Sequence, residues 1–272
     1  MRRFYCVLGD PVAHSRSPAI HARAFARLGL DAVFAPCRVT AAELPAAVSG
    51  LRSLGCAGFN VTVPHKTAVA GLVDRLEGDA ARIAAVNCVA PQGTALVGHN
   101  TDTAGLLRAL RQHGIDPSGK AVVVGAGGSA RAAAFALAGR ASSVAILNRT
   151  EARAAELARA VSDAKAYELG TEPARRALQE AAIVVQCTTV GLSDDSVPFD
   201  PAQLSPGAAV VDLVYRLPGG DTELLRRARK RGLRAVDGID VLVHQAIASL
   251  EIWLGRTGLD DLFSSLREAA LS

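Results

Sequence analysis

The sequence predicts a two-domain α/β protein with a largely parallel sheet. Three observations carry that prediction. Short apolar runs alternate with Ala-rich stretches of helical length along the whole chain. One run leads through a glycine turn, Gly125, Ala126, Gly127, Gly128, directly into a helical stretch. The 272 residues amount to nearly two domains of about 150 residues each.

In the first series, residues 4–8 read as a strand, 18–28 as a helix, 33–39 as a strand and 42–54 as a helix. Residues 58–63 give a third strand, and 86–90 with 95–99 form a pair around Pro91, Gln92 and Gly93. The second series opens with a helix at 104–113 and the apolar strand 121–124. Helices at 129–137 and 151–160 then flank a strand at 143–147, and strands at 183–186 and 209–213 follow. A helix at 222–230 and a short strand at 233–236 close that series, before two final helices at 241–257 and 258–271. Ser17 reads as the N-cap of the first helix, with Pro18 at its first position.

Composition narrows the function classes. Hydrophobic residues make up 50% and charged residues 21%, enough for a real core and unlike a disordered chain. Aromatics are only 4%, too few for a base-stacking surface, so no nucleic-acid partner is expected. The net charge is +4, and the one basic run, residues 226–231, reads as a solvated helix face. A mild positive excess also suits a phosphorylated cofactor. No stretch approaches the roughly 18 apolar residues of a membrane span. The apolar run after Arg2 and Arg3 stops at Gly9, Asp10 and Pro11, too short for a signal-peptide core. Five cysteines, an odd number without CxxC or metal spacing, predict reduced thiols, a cytoplasmic protein and no metal.

The glycine turn fits G-x-G-x-x-A between strand and helix. Gly125 permits the tight turn, Gly127 lets the backbone approach a pyrophosphate, and small Ala130 lets the helix sit close to the sheet. Ser129 and its neighbours would offer helix N-terminal N–H groups to phosphate. A purely structural turn is the other reading. The next strand ends in Asn148, Arg149 and Thr150, with no carboxylate to hold a ribose 2′-hydroxyl. Arg149, with Arg153 a helical turn on, suits a 2′-phosphate and so NADP over NAD. The alternative is that both arginines are merely solvated.

Three polar clusters lie at strand ends in the first series. Residues 9–18 carry His14, Ser15 and Ser17; residues 60–66 carry Thr62, His65 and Lys66; residues 98–105 carry Asp102 at a helix start. A cap explains Ser17 but not Ser15, and two hydroxyls suit a polyol or a carboxylate. Taken singly, Lys66 reads as a surface lysine and Asp102 as a first-turn acid. His14, His65 and His244 read as structural.

Together these clusters resemble the shikimate dehydrogenases. The matching elements are G-x-P-x-x-H-S-x-S-P at 9–18, N-V-T-V-P-H-K at 60–66, A-V-N at 85–87 and G-H-N-T-D-x-x-G at 98–105. GAGG at 125–128, NRT at 148–150, DLVY at 212–215 and GIDVLVHQ at 238–245 complete the set, in family order over nearly the whole chain. The resemblance implies an enzyme that reduces 3-dehydroshikimate to shikimate with NADPH, reversibly, in aromatic amino-acid biosynthesis. It implies that Lys66 and Asp102 are the catalytic pair. Ser15, Ser17, Thr62, Asn87, Tyr215 and Gln245 would hold substrate, and Leu213 and Gly238 would lie by the nicotinamide. It also implies a substrate domain at 1–102 with 237–272, whose final helices return to it, and a Rossmann-like NADP domain at 103–236. A monomer or homodimer is expected. Gln186, Cys187 and Thr188 stand where the family usually reads N-A-T, which bears on NADP binding. Quinate or an amino analogue of shikimate as substrate, and a non-catalytic NADP or metabolite sensor, remain open alternatives.

Overall fold

The computed structural model describes residues 2–216 and 220–272. The chain divides into two units, Met1–Gly105 with Leu242–Ser272, and Leu106–Val241. Both divisions fall inside helices, a few residues beyond the 102/103 and 236/237 boundaries that the sequence suggests.

The first unit begins with β1 (Arg3–Gly9), α1 (Ser17–Leu28), β2 (Ala32–Arg38), α2 (Leu44–Ser53) and β3 (Gly58–Val61). It continues with β4 (Arg75–Leu76), α3 (Asp79–Ile83), β5 (Cys88–Gln92) and β6 (Ala95–His99). The sheet order is β2-β1-β3-β5-β6-β4. β1 runs parallel to β2 and β3, but β5 is antiparallel to both β3 and β6. The sheet is therefore mixed: a short hairpin at Gly93 (φ 62°) reverses the chain where a helix would have been needed to keep strands parallel. Alternate residues Cys6 and Leu8 of β1, and Phe59 and Val61 of β3, share one buried cluster with Val48 and Leu51 of α2.

The sequence places Ser17 at the N-cap of α1. The helix instead begins at Ser17, with Arg16 in the cap position. Ser15 Oγ accepts the Ser17 N–H at 3.3 Å. Pro18 has no N–H to satisfy, so a first-turn place suits it as well as the opening position.

The second unit holds β7 (Lys120–Val124), α5 (Gly128–Leu137), β8 (Ser143–Asn148), α6 (Glu151–Ala160), β9 (Ala164–Glu168) and α7 (Glu172–Gln179). β10 (Ile183–Gln186), β11 (Ala209–Asp212), α8 (Glu223–Lys230) and β12 (Arg234–Val236) follow. Its sheet is parallel throughout, in the order β12-β11-β10-β7-β8-β9. After β7 the chain builds outward through β8 and β9, then returns to the other side of β7 with β10. β7 is thus the switch strand, and ligands of open α/β sheets bind beyond the strand ends at such a point.

Two helices belong partly to each unit, α4 (Asp102–Gln112) and α9 (Gly238–Leu254). In the first unit, α9 carries Trp253, whose indole N–H donates to the Val89 carbonyl at 3.0 Å. A Cβ on Gly58 would stand 2.4 Å from the Trp253 ring, so glycine makes room for the chain's one tryptophan. α10 (Phe263–Leu271) packs on α1, and Arg16 Nε donates to the Ala270 carbonyl at 2.7 Å. Among the described residues no helix is long and apolar enough to cross a membrane.

Candidate active site

The turn that follows β3 lifts Lys66 out of the sheet, and the Lys66 carbonyl accepts the Val86 N–H at 2.7 Å. Lys66 Nζ donates to Asp102 Oδ2 at 2.6 Å, with side chains only 11% and 19% exposed. Asp102 is the first residue of α4. Its own N–H donates to Asn100 Oδ1 at 3.1 Å. Asn100 therefore does the capping, and the Asp102 carboxylate is left for side-chain partners.

Asn87 organises those partners. Its Nδ2 lies 2.8 Å from Asp102 Oδ1, 2.9 Å from Thr101 Oγ1 and 3.2 Å from Gln245 Oε1. Its Oδ1 accepts the Thr101 N–H at 2.7 Å. An amide nitrogen has two hydrogens and here faces three acceptors, so the longest contact, to Gln245, is the one open to exchange. Thr101 also reaches Ser249 Oγ at 3.2 Å, and the Ser249 hydroxyl donates to the Gln245 carbonyl at 3.0 Å. Sequence reasoning misses Thr101 and Ser249. The first stands beside Asp102 in a motif already singled out; the second has no signal beyond lying one α9 turn from Gln245.

Neighbouring strands β1 and β3 bring two of the clusters together. A Cβ on Gly9 would fall 2.4 Å from Thr62 Cγ2, so Thr62 packs directly on the start of the Ser15 and Ser17 loop. Ser17 is buried and Ser15 half-buried. His65 is buried, with Nε2 at 2.6 Å from the Val39 carbonyl, which is the structural role its sequence position suggests.

In the second unit, Gly125 adopts φ 120°, and a Cβ there would meet the Cys187 backbone carbon at 3.3 Å. The conformation demands glycine at that turn, and the packing leaves little room for a Cβ. Gly127 differs. Its φ is −85° and no protein atom lies within 4 Å of a would-be Cβ. Nothing inside the chain requires glycine there, which fits a backbone approached by a ligand. Gly128 opens α5, whose N-terminus has no side-chain cap, and Ala126 and Ser129 are half-buried beside it. Ala130 is fully buried against the sheet.

Asn148 ends β8, and its Nδ2 donates to the Thr150 carbonyl at 2.9 Å, shaping the tip that carries Arg149. Arg149 and Arg153 are exposed, and neither joins an ion pair among the described residues. The 226–231 run contrasts with them. Arg226 and Arg227 pair with Glu223 at 2.8 and 2.6 Å, Arg229 with Asp221 at 2.8 Å, and Arg231 Nη1 donates to the Pro201 carbonyl at 2.6 Å. Four of the five basic residues of the run are therefore partnered within the chain, while the arginine pair beyond the β8 tip is not. That donor set fits a 2′-phosphate.

Gln186, fully buried, turns back on its own loop. Its Nε2 donates to Thr188 Oγ1 at 2.8 Å and to the Val190 carbonyl at 3.2 Å, while its Oε1 accepts the Thr188 N–H at 2.9 Å. The extra methylene relative to Asn is taken up by this closure. After β11, Asp212 Oδ1 accepts the Val214 N–H at 3.0 Å and Oδ2 accepts the Thr222 hydroxyl at 2.6 Å. Burial pushes the Asp212 carboxyl up to about 6. These bonds fix the segment of Leu213 and Tyr215. A Cβ on Gly238 would lie 2.5 Å from the Leu213 carbonyl oxygen, so only glycine lets α9 start there. Among the described residues no group of three His, Cys, Asp or Glu is disposed for a metal ion.

Comparison with known proteins agrees over nearly the whole chain. Residues 7–89 match the family model for the shikimate dehydrogenase substrate binding domain, and residues 109–192 match that for shikimate / quinate 5-dehydrogenase. A shikimate dehydrogenase (NADP(+)) of Symbiobacterium thermophilum is 43% identical, over 99% of this chain and 95% of its own length. A shikimate 5-dehydrogenase of Thermus thermophilus, solved in complex with NADP(H) and shikimate, superposes with a TM-score of 0.88 at 36% identity, covering 98% of each chain. A 5-ketofructose reductase of Gluconobacter, in its ligand-free form, superposes with a TM-score of 0.85 at 31% identity, covering 98% of each chain.

Proposed function

Since this chain belongs to the shikimate dehydrogenase family, we propose that it interconverts shikimate and 3-dehydroshikimate with NADP(H), a step of aromatic amino-acid biosynthesis. The observation that carries the reading is the pair of Lys66 and Asp102 at 2.6 Å, set in the network of Asn87, Thr101 and Gln245. NADP, when bound, supplies the hydride acceptor of the oxidation and the hydride donor of the reduction. The protein's part is position and proton. In reduction, Lys66 gives a proton to the oxygen on which charge develops. One of its three N–H bonds is held by Asp102, which leaves two for the substrate oxygen. Asp102 orients the ammonium, and Asn87 holds Asp102 in turn.

The unit of residues 1–105 with 242–272 binds the substrate in this proposal. Ser15 and Ser17 receive the carboxylate, Thr62, Asn87 and Gln245 receive ring hydroxyls, and Tyr215 is a further substrate ligand in this reading. The other unit binds NADP. Gly125, Ala126, Gly127, Gly128 and Ser129 cradle the pyrophosphate, Asn148, Arg149, Thr150 and Arg153 take the adenosine 2′-phosphate, and Leu213 and Gly238 border the nicotinamide. A cytoplasmic monomer or homodimer is the accompanying expectation; a molar mass by light scattering decides between the two.

The direct test is to mix the protein with shikimate and NADP+ and follow absorbance at ~340 nm, where the reduced cofactor absorbs. Absorbance should rise, and 3-dehydroshikimate with NADPH should give the opposite change. Tight cofactor binding with no turnover would favour the sensor instead.

A further inference from the structure

One buried carboxylate near the proposed nicotinamide border has no part in the proton transfer or in holding either ligand. Asp240 lies in the first turn of α9, two residues after Gly238, and is 4% exposed. His113, just past the C-terminus of α4, meets it with Nε2 at 2.7 Å from Asp240 Oδ2. Both residues belong to the unit Leu106–Val241. A second tie runs beside it, from Arg234 Nη1 to the Gly114 carbonyl at 3.0 Å. The same α9 turn is held from within by Asp237, whose Oδ1 accepts the Asp240 N–H at 3.0 Å. Gly238 also lies so near the Leu213 carbonyl that a Cβ there would have no room.

The start of α9 is thus held on three sides: by its own cap, by the β11 loop and by the end of α4. Only the cap is local to the turn; the approach to Leu213 comes from the segment after β11. The His113 contact reaches it from another helix, and it does so through a buried carboxylate. A shift of the turn therefore changes the close approach of Gly238 to the Leu213 carbonyl. Misplacement near a reacting group is costly, up to about a hundredfold for 1 Å.

We propose that His113, acting through Asp240, is a positioning residue for the nicotinamide border formed by Gly238 and Leu213. The proposal rests on reading those two residues as neighbours of the nicotinamide. His113 touches neither substrate nor cofactor in it. It fixes the α9 turn, and the turn sets where the nicotinamide ring lies.

The test separates the nicotinamide end of the cofactor from the adenosine end. Three variants are compared with the wild-type protein: His113→Leu, which removes the donor; His113→Gln, whose Nε2 can replace it; and Asp240→Asn, which keeps the shape and removes the charge. For each, kcat, KM for NADP+, KM for shikimate and the inhibition constant of adenosine 2′,5′-bisphosphate are measured. His113→Leu should lower kcat/KM for NADP+ by about tenfold, with shikimate KM and bisphosphate inhibition within about twofold of wild type. His113→Gln should restore most of the loss, and Asp240→Asn should show the same pattern more weakly. Unchanged kcat/KM in His113→Leu would overturn the proposal. So would an equal loss of bisphosphate binding, because that marks a general loosening of the unit. If His113→Leu does not fold, Asp240→Asn decides by the same two criteria. A wild-type protein that does not oxidise shikimate with NADP+ fails the underlying reading instead, and this is seen before any variant is made.

Discussion

Lys66 and Asp102 are one unit rather than two independent groups, because each is mostly withdrawn from water and each is the other's charge partner. Lys66→Ala should lower kcat by about 10²–10⁴-fold, the usual weight of a positioned proton donor. Asp102→Asn keeps the shape and loses the charge, and should lower kcat with a smaller effect on shikimate KM. Steady-state assays check both, and near-normal turnover in either variant removes that residue from the mechanism. Arg149 is proposed for the cofactor end of the reaction. Arg149→Ala should raise KM for NADP+ about tenfold, the loss of one charge-assisted contact, while leaving NAD+ kinetics as they were. A variant that keeps wild-type preference between the two cofactors would contradict the assignment. His21 carries a different consequence. It is fully buried against Phe34, with ring centroids 4.3 Å apart, and burial pushes its imidazole down to about 3. The unfolded chain therefore binds a proton between about pH 6.5 and 3 that the folded chain refuses, so stability falls as pH falls through that window. Asp212 has the opposite sign. Its raised folded value, about 6, gives stability at low pH that is lost as pH rises through about 4 to 6. Asp212→Asn should remove this offset, so its urea midpoint should drop more steeply between about pH 6 and 4 than that of the wild type; equal slopes would count against the Asp212 assignment.

At the scale of elements, helix ends do most of the placing. Asp102 starts α4, Gly238 starts α9, Gly128 starts α5, and the serine loop leads into α1. Gly58 shows how tightly the elements approach. Gly58→Ala would put a methyl into the Trp253 ring and should cost about 1–3 kcal/mol of stability, the range for overpacking. A lowered Tm with unchanged kcat would fit; an unchanged Tm would mean that the indole can step aside. These contacts also explain which elements are legible in the sequence. β7 and β10 are buried apolar runs, and β8 and the helices between them follow at regular spacing, so their positions read directly. β9 is the edge strand Ala164–Glu168, paired only with β8 and half-exposed, so its residues show no apolar run. α7, Glu172–Gln179, buries only Ala174 and Leu178, too few positions to stand out. α9 begins at Gly238, three residues before the sequence suggests, because glycine normally reads as a break and here is demanded by the Leu213 carbonyl. Ser17 misleads for a related reason: a serine before a proline looks like a cap, but Ser15 supplies the hydroxyl that accepts its N–H.

At the scale of the whole chain, two sheets of different build divide the work. The first is mixed and gathers Lys66, Asn87, Asp102 and Gln245 into one network across residues distant in sequence. The second is parallel and has a switch strand, the point beyond which ligands of open α/β sheets bind. The sequence motifs name these residues one by one. They do not show the satisfied amide of Asn87, the closure of Gln186 on its own loop, or the tie between His113 and Asp240, because each depends on how side chains fold back on one another in space. The division predicts separable kinetics. Ser15→Ala should raise KM for shikimate about tenfold with NADP+ KM unchanged, the mirror image of Arg149→Ala. The central claim is that this chain oxidises shikimate with NADP+. One panel tests it: initial rates with shikimate, quinate and the amino analogue of shikimate, each against NADP+ and NAD+. The account predicts the highest kcat/KM for shikimate with NADP+. A preference for quinate, for the amino analogue or for NAD+, or no turnover with any pair, would contradict it.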